Sequence, residues 1–227
     1  MTSAGRLPGC IVGMRREARL LARLSNELPV ACAGADAARA ASLARGLIEQ
    51  GAGGLVSFGL AGGLDPDLAP GTLMLPGLVL LPDGRALPVD PAWRRRAAAL
   101  LPEARSGALA GSDRALAGVA DKAALRAAGG AASVDMESHA VAAVAAAAGL
   151  PFLVIRAIAD PAGRALPPAA LAGLSPAGGI RPWAVLWSLI RRPDQFLALV
   201  RLAGDSAAGF AALGRVGGRL GPRLAFV

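Results

Sequence analysis

The sequence predicts an α/β fold, a mostly parallel sheet with helices on both faces and a helical C-terminal extension. Three observations carry that prediction. Short apolar runs of strand length alternate with helix-length runs through the first two-thirds of the chain. Two apolar runs, one ending at Asp135 and the other at Asp160, put carboxylates at the carboxyl ends of strands, where parallel sheets bind ligands. A third ends in Gly59-Leu60-Ala61-Gly62-Gly63-Leu64, glycines that let backbone approach a ligand closely.

The elements follow in order. Cys10-Ile11-Val12-Gly13 reads as the first strand, and residues 15–24 as a helix with Leu20, Leu21 and Leu24 on one face. Val30-Ala31-Cys32-Ala33 is a short second strand, and residues 37–50 a helix stopped by Gly51. Leu55-Val56-Ser57-Phe58 enters the Gly-rich turn. That turn lacks G-x-G-x-x-G spacing, and Asp65-Pro66 and Pro70-Gly71 break any helix after it, so it is no dinucleotide fingerprint. Residues 72–81 read as a strand bent at Pro76-Gly77. Residues 93–101 and 115–127 read as helices. Next come a strand ending near Asp135, a helix over 137–148 and a strand over 152–158. Residues 160–179, rich in Pro, Gly and Ala, predict a loop with a short helix, and 183–214 two helices parted by Arg191-Arg192-Pro193. No internal repeat is present.

A chain of 227 residues suits one large domain with a single core. Residues 1–180 form its α/β body and 181–227 a basic amphipathic extension of the same domain. No uninterrupted apolar stretch of about 18 residues is free of charge or Pro, which argues against a transmembrane helix. Arg15, Arg16, Glu17 and Arg19 follow the first apolar run too closely for a signal peptide, and a cytoplasmic protein is expected. Cys10 and Cys32 read as buried, inert thiols without metal or disulfide spacing. Net charge is +8, and every basic residue except Lys122 is Arg. From Arg181 onward seven Arg face two Asp, so the last fifth of the chain carries over half of that charge. The basic residues lack interleaved aromatics and no nucleic-acid motif occurs, so nucleic acid is not expected as a partner.

The chemistry-bearing candidates are acids. Asp135 and Glu137 straddle Met136; on a strand both would share a face and could accept hydrogen bonds from adjacent ribose hydroxyls, with the Met thioether as apolar contact. The competing reading has Glu137 opening the next helix. Asp160, at the edge of an apolar run, should have a raised pKa suited to a general acid; a turn Asp before Pro161 is the alternative. Glu17 reads locally as a solvated helix acid. His139, the only histidine, has no metal-ligand partner at suitable spacing.

Together the segments resemble the nucleoside phosphorylase and nucleosidase superfamily, especially the 5′-methylthioadenosine/S-adenosylhomocysteine nucleosidases. Val12-Gly13-Met14-Arg15-Arg16-Glu17, Phe58-Gly59-Leu60-Ala61-Gly62-Gly63-Leu64, Val134-Asp135-Met136-Glu137 and Val154-Ile155-Arg156-Ala157-Ile158-Ala159-Asp160 follow the family's order. More narrowly, Ser57 to Leu64, Asp135-Met136-Glu137-Ser138-His139 and Ala165-Leu166-Pro167-Pro168-Ala169-Ala170-Leu171, with the Trp- and Arg-bearing tail, resemble the hopanoid-associated branch. The resemblance implies a three-layer fold with a mixed sheet, and release of adenine from adenosylhopane to give ribosylhopane. Asp160 would protonate N7 of adenine and Glu17 would activate water. Met136, Glu137, Gly62 and Gly63, with Asp135 beside them, would bind the ribose. Glu17 and Asp160 need different proton states, so their environments should push their pKa values apart. No metal or organic cofactor is implied, and a homodimer is.

Phosphorolysis of the same substrate, with inorganic phosphate as co-substrate, and cleavage of methylthioadenosine or S-adenosylhomocysteine are the alternatives. Leu60, where relatives carry a phosphate-binding hydroxyl, favours hydrolysis; Arg15 and Arg16 favour phosphate. Ala159 stands where a hydroxyl usually steadies the catalytic Asp. In the tail, Trp183, Leu186, Trp187 and Ile190 recur at helical spacing beside Arg181, Arg191 and Arg192. Such a stripe either packs an interface or lies on a membrane, and a lipid-linked nucleoside favours docking at the inner membrane face.

Overall fold

The computed structural model describes residues 6–173, 178–179 and 182–226. Arg181 and part of the expected 160–179 loop lie outside them. In order the elements are β1 (Pro8–Val12), α1 (Arg15–Leu24), β2 (Val30–Cys32), α2 (Ala37–Glu49), β3 (Gly54–Gly63), β4 (Leu73–Met74), β5 (Leu78–Leu80), β6 (Ala86–Pro88) and α3 (Pro91–Leu100). There follow β7 (Ala108–Gly111), α4 (Val119–Gly129), β8 (Ser133–Asp135), α5 (Ser138–Ala147), β9 (Phe152–Asp160), α6 (Pro168–Gly173), α7 (Pro182–Arg191) and, after one 3-10 turn, α8 (Phe196–Leu220).

The described strands form one nine-stranded mixed sheet in the order β2-β1-β3-β8-β7-β5-β6, with β9 lying against β3 and β4. The ladders β1·β2, β1·β3, β3·β9, β5·β7 and β7·β8 are parallel; β3·β8, β4·β9 and β5·β6 are antiparallel. Strand alternation divides the core between two faces. Cys10, Val12, Val56, Phe58, Leu153 and Ile155 pack with Leu21 of α1, Trp93 of α3 and Phe210, Leu213 and Val216 of α8. Ile11, Leu55, Phe152 and Val154 pack against Ala40, Ala44 and Leu47 of α2 and Val141, Ala142 and Ala145 of α5. Helices therefore cover both faces, giving three layers as expected. Because β1, β3 and β9 are buried on both faces, they read as almost continuous apolar runs.

Local chemistry sets the ends of the helices. Asp36 accepts the Arg39 N–H at 2.9 Å, and Asp90 accepts that of Trp93 at 2.6 Å, starting α3 at Pro91, two residues before the predicted start. The fourth helix begins at Val119 rather than 115, because Gly118 is its N-cap and the Ala117 carbonyl accepts the Leu166 N–H. Strands β6 and β7 escaped prediction: one is three residues long and ends in Pro88, and the other is Ala-Leu-Ala-Gly. The expected bent strand is two separate strands on either side of Pro76-Gly77.

The last helix bears on the membrane expectation without overturning it. With its leading turn it spans Pro193–Leu220 and is long and apolar enough to cross a bilayer by length and composition. Its C-terminal half is nevertheless a core element, burying Phe210, Ala212, Leu213, Val216 and Leu220. The N-terminal half and α7 are different. Trp183 is 79% exposed and Ile190 64%, with Trp187, Phe196, Leu197 and Val200 also exposed. Cys10 is buried but Cys32 is only half-buried, which corrects half of the thiol expectation.

Candidate active site

Strand β1 ends at Val12, Gly13 and Met14 turn the chain, and α1 begins one residue later. Glu17 therefore falls in the first helical turn, facing back over the sheet and almost fully buried, not solvated as its sequence neighbours suggested. Its Oε2 accepts the N–H groups of Gly13 (2.9 Å) and Met14 (2.8 Å), and its Oε1 that of Leu60 (2.8 Å). A carboxylate offers about four lone-pair positions. Three are occupied, leaving one on Oε1.

Gly59 lets this carboxylate approach β3. A side chain at Gly59 would put its Cβ within 2.6 Å of both Glu17 Oε1 and Arg156 Nη1. Arg156 lies on β9, 1% exposed, and is the hub of the site. Its Nη2 donates to Ser57 Oγ (2.7 Å) and Ser138 Oγ (3.1 Å), pairs with Asp135 and reaches Glu137 Oε2 at 3.5 Å. Its Nη1 donates to the Leu60 carbonyl at 3.3 Å.

Asp135 and Glu137 do not share a strand face as expected. Strand β8 stops at Asp135, whose Oδ1 accepts the Ser138 N–H at 3.0 Å, and Glu137 is the N-cap of α5. Both acids still converge on Arg156, because the turn brings Glu137 back. Asp135 lies on the candidate cavity, and its oxygens contact Arg156 and Ser138.

Asp160, the last residue of β9, is paired instead with Lys122 of α4. Lys122 Nζ lies 2.6 Å from Asp160 Oδ2 and donates to the Pro161 and Arg164 carbonyls, each at 3.1 Å. Gly62 leaves room for the acid; a Cβ there would meet its oxygens at 3.2–3.3 Å.

Glu17, Gly62, Asp135, Met136, Glu137, Arg156 and Asp160 line one cavity of about 210 Å³, joined by Leu60, Arg114, Leu166, Leu202 and Ser206. Gly63 is the exception among the sequence candidates. It pairs with Ser133 and packs on Ile158 and the Pro161 backbone, because alternation along β3 turns it away from Gly62's surroundings. Arg16 does not line the cavity either; it stacks on Phe210 at 4.1 Å. His139 is buried against Gly111 and contacts Asp113 at 3.1 Å. Among the described residues no cluster of three or more His, Cys, Asp or Glu could hold a metal.

Burial raises the pKa of Glu17, opposed by the Arg156 charge and the three N–H donors. It also raises Asp160, opposed by Lys122, and lifts Glu137 to about 8, again against Arg156. Burial moves both Glu17 and Asp160 upward. What separates them is hydrogen bonding. Three backbone donors favour the Glu17 anion against its burial, whereas Asp160 takes one ammonium on Oδ2 and keeps Oδ1 free of any described donor.

Arg156 and Lys122 are the site residues that sequence reasoning passed over. Each left a signal, Arg156 as the one charge inside an apolar run and Lys122 as the only lysine in an Arg-rich chain.

The profile of the phosphorylase superfamily matches residues 22–172, from inside α1 through α6. The chain belongs to the phosphorylase superfamily. It is accordingly an enzyme of the nucleosidase or nucleoside phosphorylase kind. No curated protein sequence matches it. Solved structures share the fold. A futalosine hydrolase from Helicobacter pylori is 17% identical, covers 95% of this chain and 98% of its own, and superposes with a TM-score of 0.70. The 5′-methylthioadenosine/S-adenosyl homocysteine nucleosidase of Campylobacter jejuni is 19% identical over 93% of this chain and 99% of its own, TM-score 0.67. The S-adenosylhomocysteine nucleosidase of Streptococcus pyogenes, in complex with 5-methylthiotubericidin, is 20% identical over 93% and 98%, TM-score 0.65.

Proposed function

We propose that this superfamily member hydrolyses the N-glycosidic bond of adenosylhopane, releasing adenine and leaving ribosylhopane for hopanoid synthesis. The observation that carries the reading is the pairing, on one cavity, of Glu17 with a single open lone pair and Asp160 with an open Oδ1. Water held by Glu17 Oε1 attacks C1′ and gives its proton to Glu17. The C1′–N9 bond breaks, and Asp160 hands a proton to N7, so adenine leaves neutral. Glu137, beside Met136, takes the ribose hydroxyls. The Glu17 carboxylate stabilises positive charge building on the sugar, while burial keeps neighbouring Glu137 toward its neutral form and Arg156 offsets the repulsion between the acids.

Hydrolysis is favoured over phosphorolysis because Leu60 has no hydroxyl and its N–H is already taken by Glu17. One observation supports the alternative: Arg114 lines the cavity and could hold an anion. The neighbours' nucleosidase and futalosine hydrolase names keep soluble purine nucleosides, methylthioadenosine and S-adenosylhomocysteine among them, as the competing substrates.

The lipid-linked substrate is supported by α8. Leu202 lines the cavity, Val200 and Leu197 within two turns upstream are exposed, and so are Trp183, Leu186, Trp187 and Ile190 of α7. Arg191, Arg192 and Arg201 stand exposed beside it. In this reading residues 1–180 are the catalytic body, 181–227 dock the cytoplasmic enzyme on an anionic inner-membrane surface, and the enzyme works as a homodimer without a cofactor.

The test is adenine release from adenosylhopane in detergent, with and without phosphate, beside methylthioadenosine. Phosphate-independent release from adenosylhopane is expected. Strict phosphate dependence would transfer the attack to phosphate, and preference for methylthioadenosine would remove the hopanoid assignment.

A further inference from the structure

Lys122 is an anomaly that the reaction scheme does not yet use. It is the only lysine of the chain and 1% exposed, in a protein whose other basic residues are arginines and mostly at the surface. Burying an ammonium is costly unless every N–H finds an acceptor. Here four oxygens surround it: Asp160 Oδ2 at 2.6 Å, the Pro161 and Arg164 carbonyls at 3.1 Å, and the Asp160 carbonyl at 3.5 Å. None of these contacts belongs to a remote structural element. All four lie on Asp160 and the four residues after it.

We infer that Lys122 is a positioning residue for Asp160: it fixes the carboxyl rotamer, confines the transferable proton to Oδ1, and receives the carboxylate once that proton has gone to the base. The inference rests on the reading of Asp160 as the acid. An ammonium has three donors and no acceptor, so Oδ2 in contact with Nζ must accept. A proton on Asp160 is then excluded from Oδ2 and sits on Oδ1, the oxygen without a described donor. The residue before Asp160 is Ala159, with no hydroxyl to offer, so the orienting donor comes from a different element, α4. The same ammonium ties down the 161–164 turn. Arg164, whose carbonyl it holds, pairs by its side chain with Asp205 of α8, one residue before cavity-lining Ser206. Leu166, two residues further, lines the cavity and is held by the Ala117 carbonyl just before α4. Lys122 thus anchors both the acid and one wall of its site.

The discriminating experiment is a double-variant cycle on the full chain, measuring kcat and KM for adenine release and the melting temperature of each variant. K122M should lower kcat on the order of 100-fold with KM changed much less, and D160N should lower it at least as far. In D160N/K122M no further loss is expected, since Lys122 acts through a carboxyl that is already gone. K122R, which keeps a cationic donor, should recover roughly tenfold of the K122M loss. If K122M proves unfolded by circular dichroism, K122Q takes its place in the cycle. A K122M enzyme with wild-type kcat overturns the inference, and so does a loss that multiplies in full with that of D160N. Full activity in D160N alone would instead overturn the acid assignment, leaving the two failures distinguishable.

Discussion

Two buried acids with different hydrogen-bond partners define the chemistry at the residue scale. Glu17 is surrounded by backbone N–H groups, which favour its anion; Asp160 meets one ammonium on one oxygen. Replacing Asp160 with Asn should reduce turnover by about 10²–10⁴-fold while adenosine binding, followed by calorimetry, persists. Glu137 gives a separate, stability-based prediction. Its folded-state pKa, about 8, lies above the ordinary value of 4.5. The folded protein therefore holds a proton that the unfolded chain releases at lower pH. The stability this contributes is complete below the ordinary value and is lost as pH rises through the folded one. Urea midpoints should fall as pH rises between about 5 and about 8, and E137Q should flatten that slope. A midpoint rising across the window would contradict the burial of Glu137. Asp135, Glu137 and Asp160 were legible because each closes an apolar run or follows one, whereas Glu17 read locally as a solvated helix acid and stood out only through the family resemblance. Arg156 and Lys122 were not, because their importance comes from partners 18 or more residues away in the chain.

At the element scale, β3 and the tail carry the argument. β3 bends its backbone around the Glu17 and Arg156 side chains at Gly59, where φ is +156°. G59A should therefore destabilise the fold by roughly 2 kcal/mol or more and lower activity with it, read from denaturant melts and steady-state rates. In the tail, one amphipathic pattern splits into two outcomes. Phe210, Leu213 and Val216 enter the core, whereas Trp183, Trp187 and Ile190 face outward. Apolar periodicity marked both segments as helical but could not say which had a protein partner. Substituting Ser at Trp183, Trp187 and Ile190 together should abolish salt-sensitive sedimentation with anionic vesicles and leave cleavage of a soluble nucleoside unchanged. Loss of folding on that change would identify the face as a packing surface.

At the scale of the whole molecule, the sheet brings distant segments to one cavity. β1, β3 and β9 run parallel, so Glu17, Leu60 and Asp160 all emerge at the same end, while β8 enters antiparallel to β3 and delivers Glu137 from the side. The layered α/β architecture was legible from alternating runs. Strand order was not, because β9 is inserted against β3 across nearly a hundred residues of intervening chain and the antiparallel β3·β8 contact involves only two residue pairs. In the proposed reaction water, activated by Glu17, replaces adenine on the ribose of adenosylhopane. The most direct measurement is turnover of adenosylhopane in ¹⁸O-enriched water with phosphate present, followed by mass spectrometry of the ribosyl product. The account predicts heavy oxygen at C1′, and loss of that product in E17Q. A ribosyl phosphate without the label, or a fully active E17Q, would contradict it.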